Sequence, residues 1–367
     1  MNILALLTDA FGGYGGIALY NRDVLSALCS HPEVEQVVAL PRSISNALES
    51  LPGKLHYNIP AAKGAPAYLA AVTKELLKGG KYDLVLCAHI NLIPVAWLFA
   101  KLLKVPLILQ VYGIDAWQPT ARSFTNRWVA SVDMVISISN YTTDRFLEWS
   151  QVSSERCRLL PNAIDLKKYG EDEKSLELMK KYGLAGKAVL MTLGRMSSEE
   201  QYKGFDKVLE LLPELKKKIP KIVYVIAGDG DDRPNLEEKA QLLEVADSVV
   251  FTGMVDEAEK ADLYRVADLY VMPSRGEGFG FVFLEAMACG IPVVASLVDG
   301  SRDAVRDGRL GIMVDPDDRE ELLQAIIQGL EQPKGIPVGL EYFSFENFTR
   351  RLHAIVDETL DQGRKQS

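Results

Sequence analysis

Short apolar runs alternating with helix-period segments, in two successive series, are what most limits the folds open to this chain. In the first half, residues 3–8, 36–40, 84–88, 107–112, 134–138 and 157–160 read as strands, and 16–30, 68–78, 94–103 and 141–150 as helices between them. The second series runs through strands at 188–193, 222–227, 249–252, 269–272, 292–295 and 311–314, again with helices between, and ends on an amphipathic segment at 345–360 with no strand after it. Such alternation is the pattern of parallel α/β layers. A chain of 367 residues exceeds what one hydrophobic core usually fills, so two domains are expected, and 48% hydrophobic residues can supply both cores. The turn-forming run 161–169 interrupts the alternation and marks the boundary, with one domain over 1–166 and the next from 167 to 344.

Charge narrows the partners. The net charge is −9, yet residues 1–165 hold 14 Lys and Arg against 13 Asp and Glu, so the acidity belongs to the second half. Nothing here supports wrapping nucleic acid, which needs a basic face. A near-neutral first half leaves room for a local basic patch against an anionic membrane. Residues 1–9 lack a basic lead and run into a glycine-rich loop, so they are expected to form a strand rather than a secretion signal. The longest apolar stretch, 84–100, is broken by His89, Asn91 and Pro94 and is short for a bilayer. Cys29, Cys87, Cys157 and Cys289 are scattered without a C-x-x-C pair and read as reduced core residues of a cytosolic protein.

The most informative stretch is P-S-R-G-E-G-F-G-F-V-F-L-E-A-M-A-C-G-I-P-V-V-A-S over residues 273–296. A buried strand enters a glycine-rich turn that opens a helix, and the unpaired amides of Gly278, Phe279, Gly280, Phe281 and Val282 would attract phosphate there. Glu277 lies before the helix and Glu285 about two turns into it, a span suited to a nucleotide-sugar with its diphosphate between them. The segment resembles the E-x7-E signature of the retaining glycosyltransferases of family four (glycosyl transferases group 1). The spacing alone is weak; E-G-F-G before the second glutamate and A-C-G-I-P-V-V-A-S after it make it specific.

Other segments extend the resemblance over nearly the whole chain. Asp9-Ala10-Phe11-Gly12-Gly13-Tyr14-Gly15-Gly16 is not a G-x-G-x-x-G dinucleotide loop and resembles the family's G-G-x-G loop, which places Gly13, Gly15 and Gly16 near the donor phosphate. Gly194-Arg195 and Lys203-Gly204 resemble the G-R…K-G motif, implying that Arg195 and Lys203 neutralise a departing diphosphate without a metal. Gly228-Asp229-Gly230 resembles the G-x-G turn at the nucleotide, and Thr252-Gly253-Met254 the turn whose backbone near Met254 meets the base. Pro161-Asn162-Ala163-Ile164-Asp165 resembles the interdomain P-N-G-V-D link, with alanine replacing glycine. One departure concerns chemistry: Gln110-Val111-Tyr112-Gly113-Ile114-Asp115 carries tyrosine where many relatives have histidine in V-H-G-x-D. A phenol donates one hydrogen bond but is no cation near neutral pH. His89, Tyr112 and Asp115 are the residues the resemblance assigns to the acceptor cleft, and His89 reads equally as a satisfied core histidine.

The resemblance implies a GT-B fold, two Rossmann-like doubly wound domains facing each other across a cleft, with the terminal helix at about 345–367 returning to the first. It implies a metal-independent retaining hexosyltransferase that moves a sugar from a nucleoside-diphosphate donor, UDP- or GDP-linked, to an acceptor hydroxyl. No cofactor is expected, since the nucleotide-sugar is a substrate. Arg195, Lys203 and Glu277 would carry the chemistry, and Glu285 would hold the ribose. The acceptor would be a glycan or a lipid-linked molecule in polysaccharide, lipopolysaccharide or glycolipid assembly. The protein would be cytoplasmic, with peripheral association at the inner membrane face left open. A nucleotide-sugar-binding protein without transferase activity and a GT-B sugar-nucleotide epimerase are the competing readings.

Overall fold

A computed structural model of the chain describes residues 1–78 and 81–366, without the side chains of residues 200, 201, 365 and 366; the last residue of the expected terminal helix, 367, lies outside the described residues. The chain forms two compact units, one of residues 1–163 with 345–367 and the other of residues 164–344.

The first unit is built on seven strands: β1 (Asn2–Leu7), β2 (Gln36–Pro41), β3 (Leu55–Tyr57), β4 (Leu84–Cys87), β5 (Leu107–Val111), β6 (Met134–Ser137) and β7 (Cys157–Leu159). Their order is β3-β2-β1-β4-β5-β6-β7, and all neighbours pair in parallel, with Leu4 opposite Val38 on one side and Val85 on the other. Ile3, Leu4, Ala5 and Leu6 are all fully buried, which is why these strands read as continuous apolar runs: helices cover both faces. β3 and the helix Ser123–Val129 have no counterpart among the expected strands and helices. β3 is an edge strand of three residues with only Tyr57 buried, too short and polar to leave an apolar run; its pairing with β2 makes it a strand. The helix Phe345–Gln366 packs on the helix Gly16–Ser30 of this unit. Phe348, Leu352 and Val356, four residues apart, form its buried stripe, and Phe348 meets Tyr20 edge to face at 5.6 Å.

The second unit has six strands: β8 (Ala188–Leu193), β9 (Ile222–Ala227), β10 (Val249–Phe251), β11 (Leu269–Met272), β12 (Val293–Ser296) and β13 (Ile312–Val314). Their order, β10-β9-β8-β11-β12-β13, repeats the scheme of the first sheet and is again parallel throughout. In each sheet the order reverses once, between β1 and β4 and between β8 and β11. Doubly wound sheets bind ligands at such points, outside the carboxyl ends of the strands.

Loops at that edge of the second sheet are held by main-chain packing. Gly228 (φ +118°) and Gly230 (φ +156°) follow β9, and a Cβ at either would overlap a carbonyl oxygen of the loop after β8, that of Gly194 or of Met196 respectively. Gly228 N also donates to Gly253 O (3.1 Å), drawing in the turn after β10. Gly230→Ala should therefore lower stability by about 1–3 kcal/mol through overpacking and backbone strain. Thermal denaturation against wild type checks this; an unchanged midpoint would show that the two loops separate freely.

Candidate functional site

The reversal point of the second sheet brings together segments far apart in sequence. The loop after β8 contributes Lys203 and the loop after β11 contributes Glu277, whose Oε1 accepts a hydrogen bond from Lys203 Nζ at 2.5 Å. Both side chains are largely shielded from water, at 12% and 15% exposure, so the pair is stronger than a surface ion pair. Lys203 Nζ also lies 5.0 Å from the centre of the Tyr202 ring. An ammonium has three protons, so Lys203 can keep Glu277 and still donate to an anion. Arg195 lies on the exposed surface of the same loop, where its charge helps hold the Asp231 carboxyl low after the hydrogen bonds from Ser198.

Beyond Glu277 the chain opens the helix Phe281–Ala288, with Gly280 (φ +91°) as its cap. Among the described residues, no hydrogen bond engages the amides of Gly278, Phe279, Gly280, Phe281 and Val282. These are donors left over at a helix start, suited to an anion. The side chain of Phe279 takes no part: it is buried against Phe343, ring centres 5.7 Å apart.

The two glutamates have different surroundings. Glu285 is 1% exposed, and its carboxylate receives Tyr169 Oη (2.8 Å) and Lys260 Nζ (2.5 Å) on one oxygen and Tyr264 Oη (2.7 Å) on the other. Glu257 extends this network to Tyr169 (3.3 Å) and Lys168 (2.5 Å). The three donors to Glu285 occupy three of the four acceptor positions of its carboxylate. Tyr169, Lys260 and Tyr264 are separated from Glu285 by 116, 25 and 21 positions, so no local pattern announces them. Asp229 is half-exposed and paired with Arg233 at 3.5 Å, and Met254 is 68% exposed on its turn.

In the first unit the glycine-rich loop and His89 flank the reversal point between β1 and β4. Gly13 is crowded by Ala18, Ala10 and Asp9, whereas Gly15 (φ +87°) caps the helix that Gly16 begins and has open space where a Cβ would stand. His89 Nδ1 accepts from Asn91 N (3.1 Å), and burial, with the nearby Arg42 charge, lowers its pKa and favours the neutral ring. Tyr112, expected to line the acceptor cleft, is buried instead: its hydroxyl donates to Asn21 Oδ1 (2.7 Å) and lies 2.9 Å from Ala88 O, and its ring meets Tyr20 edge to face. The phenol thus lies between Asn21 and Ala88, and its single proton serves one acceptor at a time. Asp115 accepts from Tyr112 N (3.3 Å) with Oδ1, while its buried Oδ2 has no partner among the described residues.

Among the described residues no group of three or more His, Cys, Asp or Glu side chains is arranged to hold a metal ion, and no helix is long and apolar enough to cross a membrane. The cysteines are free.

Known proteins carry the same pattern. Residues 187–332 match the family model described as Glycosyl transferases group 1, and residues 14–168 match that described as Glycosyltransferase Family 4. The GDP-mannose-dependent alpha-(1-6)-phosphatidylinositol monomannoside mannosyltransferase of Mycolicibacterium smegmatis is 31% identical over 260 residues, 68% of this chain and 67% of that protein. The alpha-monoglucosyldiacylglycerol synthase of Streptococcus pneumoniae is 33% identical over 230 residues, 60% of this chain and 51% of that protein. Several relatives are matched over less than two thirds of their own length. The crystal structure of Anabaena Alr3699/HepE in complex with UDP-glucose superposes with a TM-score of 0.73 at 21% identity, covering 98% of this chain and all of that one.

Burial pushes the Asp115 carboxyl up to about 7, more than its main-chain hydrogen bonds lower it. Its folded value is thus above the unfolded one, so the stability tied to its protonated form is present below the ordinary value of 3.8 and lost as pH rises through about 7. Asp115→Asn should raise the melting temperature relative to wild type at pH 8 and give no such gain at pH 4. Parallel melting curves at both pH values would expose an ionised, well-solvated Asp115 instead.

Proposed function

The chain belongs to the group 1 glycosyltransferases of family 4 and has their GT-B fold, and from that premise we propose that it transfers a sugar, with retention, from a nucleoside-diphosphate donor held by residues 164–344 to an acceptor hydroxyl. The observation that carries the reading is the Lys203–Glu277 pair at the point where the second strand order reverses, beside a helix start with unengaged amides. The diphosphate lies on those amides, with Lys203 and Arg195 neutralising the charge that grows as the bond from the sugar carbon to the phosphate oxygen breaks. Glu277 accepts from sugar hydroxyls and orients the ring. The acceptor oxygen bonds to the same face of that carbon and gives its proton to the leaving phosphate oxygen, so the reaction uses neither a protein base nor a metal. Glu285, held by Tyr169, Lys260 and Tyr264, takes a ribose hydroxyl with its remaining position.

The named activities of the relatives include a mannosyl transfer from GDP-mannose and a glucosyldiacylglycerol synthesis, and the HepE structure holds UDP-glucose, so GDP-mannose and UDP-glucose are the first donors to try and a glycolipid the first acceptor. A lipid-linked acceptor calls for a membrane-facing surface on the first unit. The helices Ile93–Leu103 and Ser123–Val129 supply one: Leu98, Leu102 and Phe124 are exposed beside Lys101, Arg122 and Arg127, with Trp97 stacked on Trp128 at 5.0 Å. Residues 84–132 contain four Lys or Arg and one acidic residue, Asp115, against the acidic balance of the whole chain. This favours peripheral association with the anionic inner face of a membrane, from the cytoplasmic side.

Donor binding is read first by thermal shift with UDP, GDP, UDP-glucose and GDP-mannose, since a ligand at a hundred times its Kd stabilises by about 2.7 kcal/mol. Lys203→Ala and Arg195→Ala should each lower kcat by about 10²–10³-fold, with EDTA leaving the wild-type rate unchanged. Glu277→Ala should cut kcat while sparing the free nucleotide's affinity, and Glu285→Ala should weaken nucleotide and nucleotide-sugar alike. Full activity in both cation variants, or inactivation by EDTA, would defeat the mechanism. For the membrane face, Lys101→Glu with Arg127→Glu should weaken binding to phosphatidylserine vesicles by about 30-fold or more, at roughly 1 kcal/mol per basic residue. Unaltered sedimentation with the vesicles would remove that surface from consideration.

A further inference from the structure

The loop after β12 contains a buried acid that the proposed mechanism does not use. Asp299 is 0% exposed, and its carboxylate accepts three hydrogen bonds: from Ser274 Oγ (2.7 Å) and Glu277 N (2.9 Å) on Oδ2, and from Ser301 N (2.9 Å) on Oδ1. Its neighbour Gly300 donates its N–H to Glu277 O at 2.9 Å. Residues 299 and 300 therefore hold both main-chain polar groups of one residue, Glu277, whose side chain meets Lys203. Space allows little else: a Cβ on Gly300 would overlap the carbonyl oxygen of Gly278.

Desolvating a carboxylate is costly unless hydrogen bonds compensate, and an apolar residue would fill the same volume without that cost. A charge-assisted acceptor aimed at the Glu277 N–H does something an apolar residue would not. It fixes the peptide from which the Glu277 side chain departs, while Gly300 holds the carbonyl of the same residue.

We propose that Asp299 is a positioning residue for Glu277, setting the aim of its carboxylate at the donor sugar while leaving nucleotide binding to the amides, Lys203 and Glu285. The proposal rests on the reading of Glu277 as the sugar-orienting group. In Asp299→Asn the amide presents one oxygen and one NH₂, so either the Glu277 N–H or the Ser301 N–H faces a donor instead of an acceptor.

The test compares wild type, Asp299→Asn and Glu277→Gln, with GDP-mannose and UDP-glucose cleavage giving kcat and KM, and calorimetric titration with GDP and UDP giving nucleotide affinity. Asp299→Asn should lose about 10- to 100-fold in kcat, the effect of a displacement near 1 Å at the reacting group, with nucleotide Kd within about twofold of wild type. Retention of wild-type kcat in Asp299→Asn while Glu277→Gln collapses would overturn the Asp299 assignment alone. Wild-type kcat in Glu277→Gln would overturn the underlying reading, and the assignment with it. A parallel fall in kcat and nucleotide affinity in Asp299→Asn would also overturn it, by making Asp299 a support of the whole fold. Ser274→Ala is the second variant, for use if Asp299→Asn does not fold; it removes the hydroxyl that donates to Asp299 Oδ2 beside the Glu277 N–H, and the same separation of kcat from nucleotide affinity is expected, in smaller degree.

Discussion

Parallel strands buried on both faces leave one place for chemistry. Every strand in either sheet pairs in parallel, so all the connections that follow strands emerge at the same edge. The faces are occupied by helices and filled with Leu, Val and Ile, and they exclude the polar groups a ligand needs. Within each unit the reversal in strand order then leaves a gap between two neighbouring loops. In the second unit those loops carry Lys203 and Glu277, 74 positions apart in sequence and 2.5 Å apart in space.

Loops at such an edge are precise only if something holds them, and here much of the holding is done by backbone. Gly228 and Gly230 let one loop lie against the carbonyls of another, and Gly300 does the same beneath Gly278. Where a side chain joins in, as Asp299 does, it is buried and acts on main-chain N–H groups. Burial raises the Asp299 carboxyl above the ordinary carboxylate range, while its bonds from Glu277, Ser274 and Ser301 work in the opposite direction. The polar groups of this loop are thus satisfied by the protein on the Asp299 side.

The two glutamates of the glycine-rich segment show how far identical residues diverge with their setting. Glu277 sits in a turn, partly reached by solvent, with one cation beside it. Glu285 sits inside a helix whose neighbours bring two phenols and an ammonium to its carboxylate, so much of its role is to hold the region together. Tyr112 follows the same logic in the first unit. At a position read as facing an acceptor, its ring turns inward onto Tyr20 and its hydroxyl closes a buried bond to Asn21.

The architecture was legible from residues alone because continuous apolar runs of strand length, spaced by helix-period segments, admit few other arrangements. The glycine loops, the G-R…K-G pair and both glutamates were legible for the same kind of reason: each is a local pattern of special backbone freedom or charge at the end of a strand. β3 was not, since its three residues become a strand only by pairing with β2. Nor were Asp299, Lys260, Tyr169 and Tyr264, which acquire their roles from partners 21 to 116 positions away. A sequence records which groups are available and how the chain bends locally; which carboxylate is left for a ligand and which is spent on the protein itself depends on distance, and distance exists only once the sheets have formed.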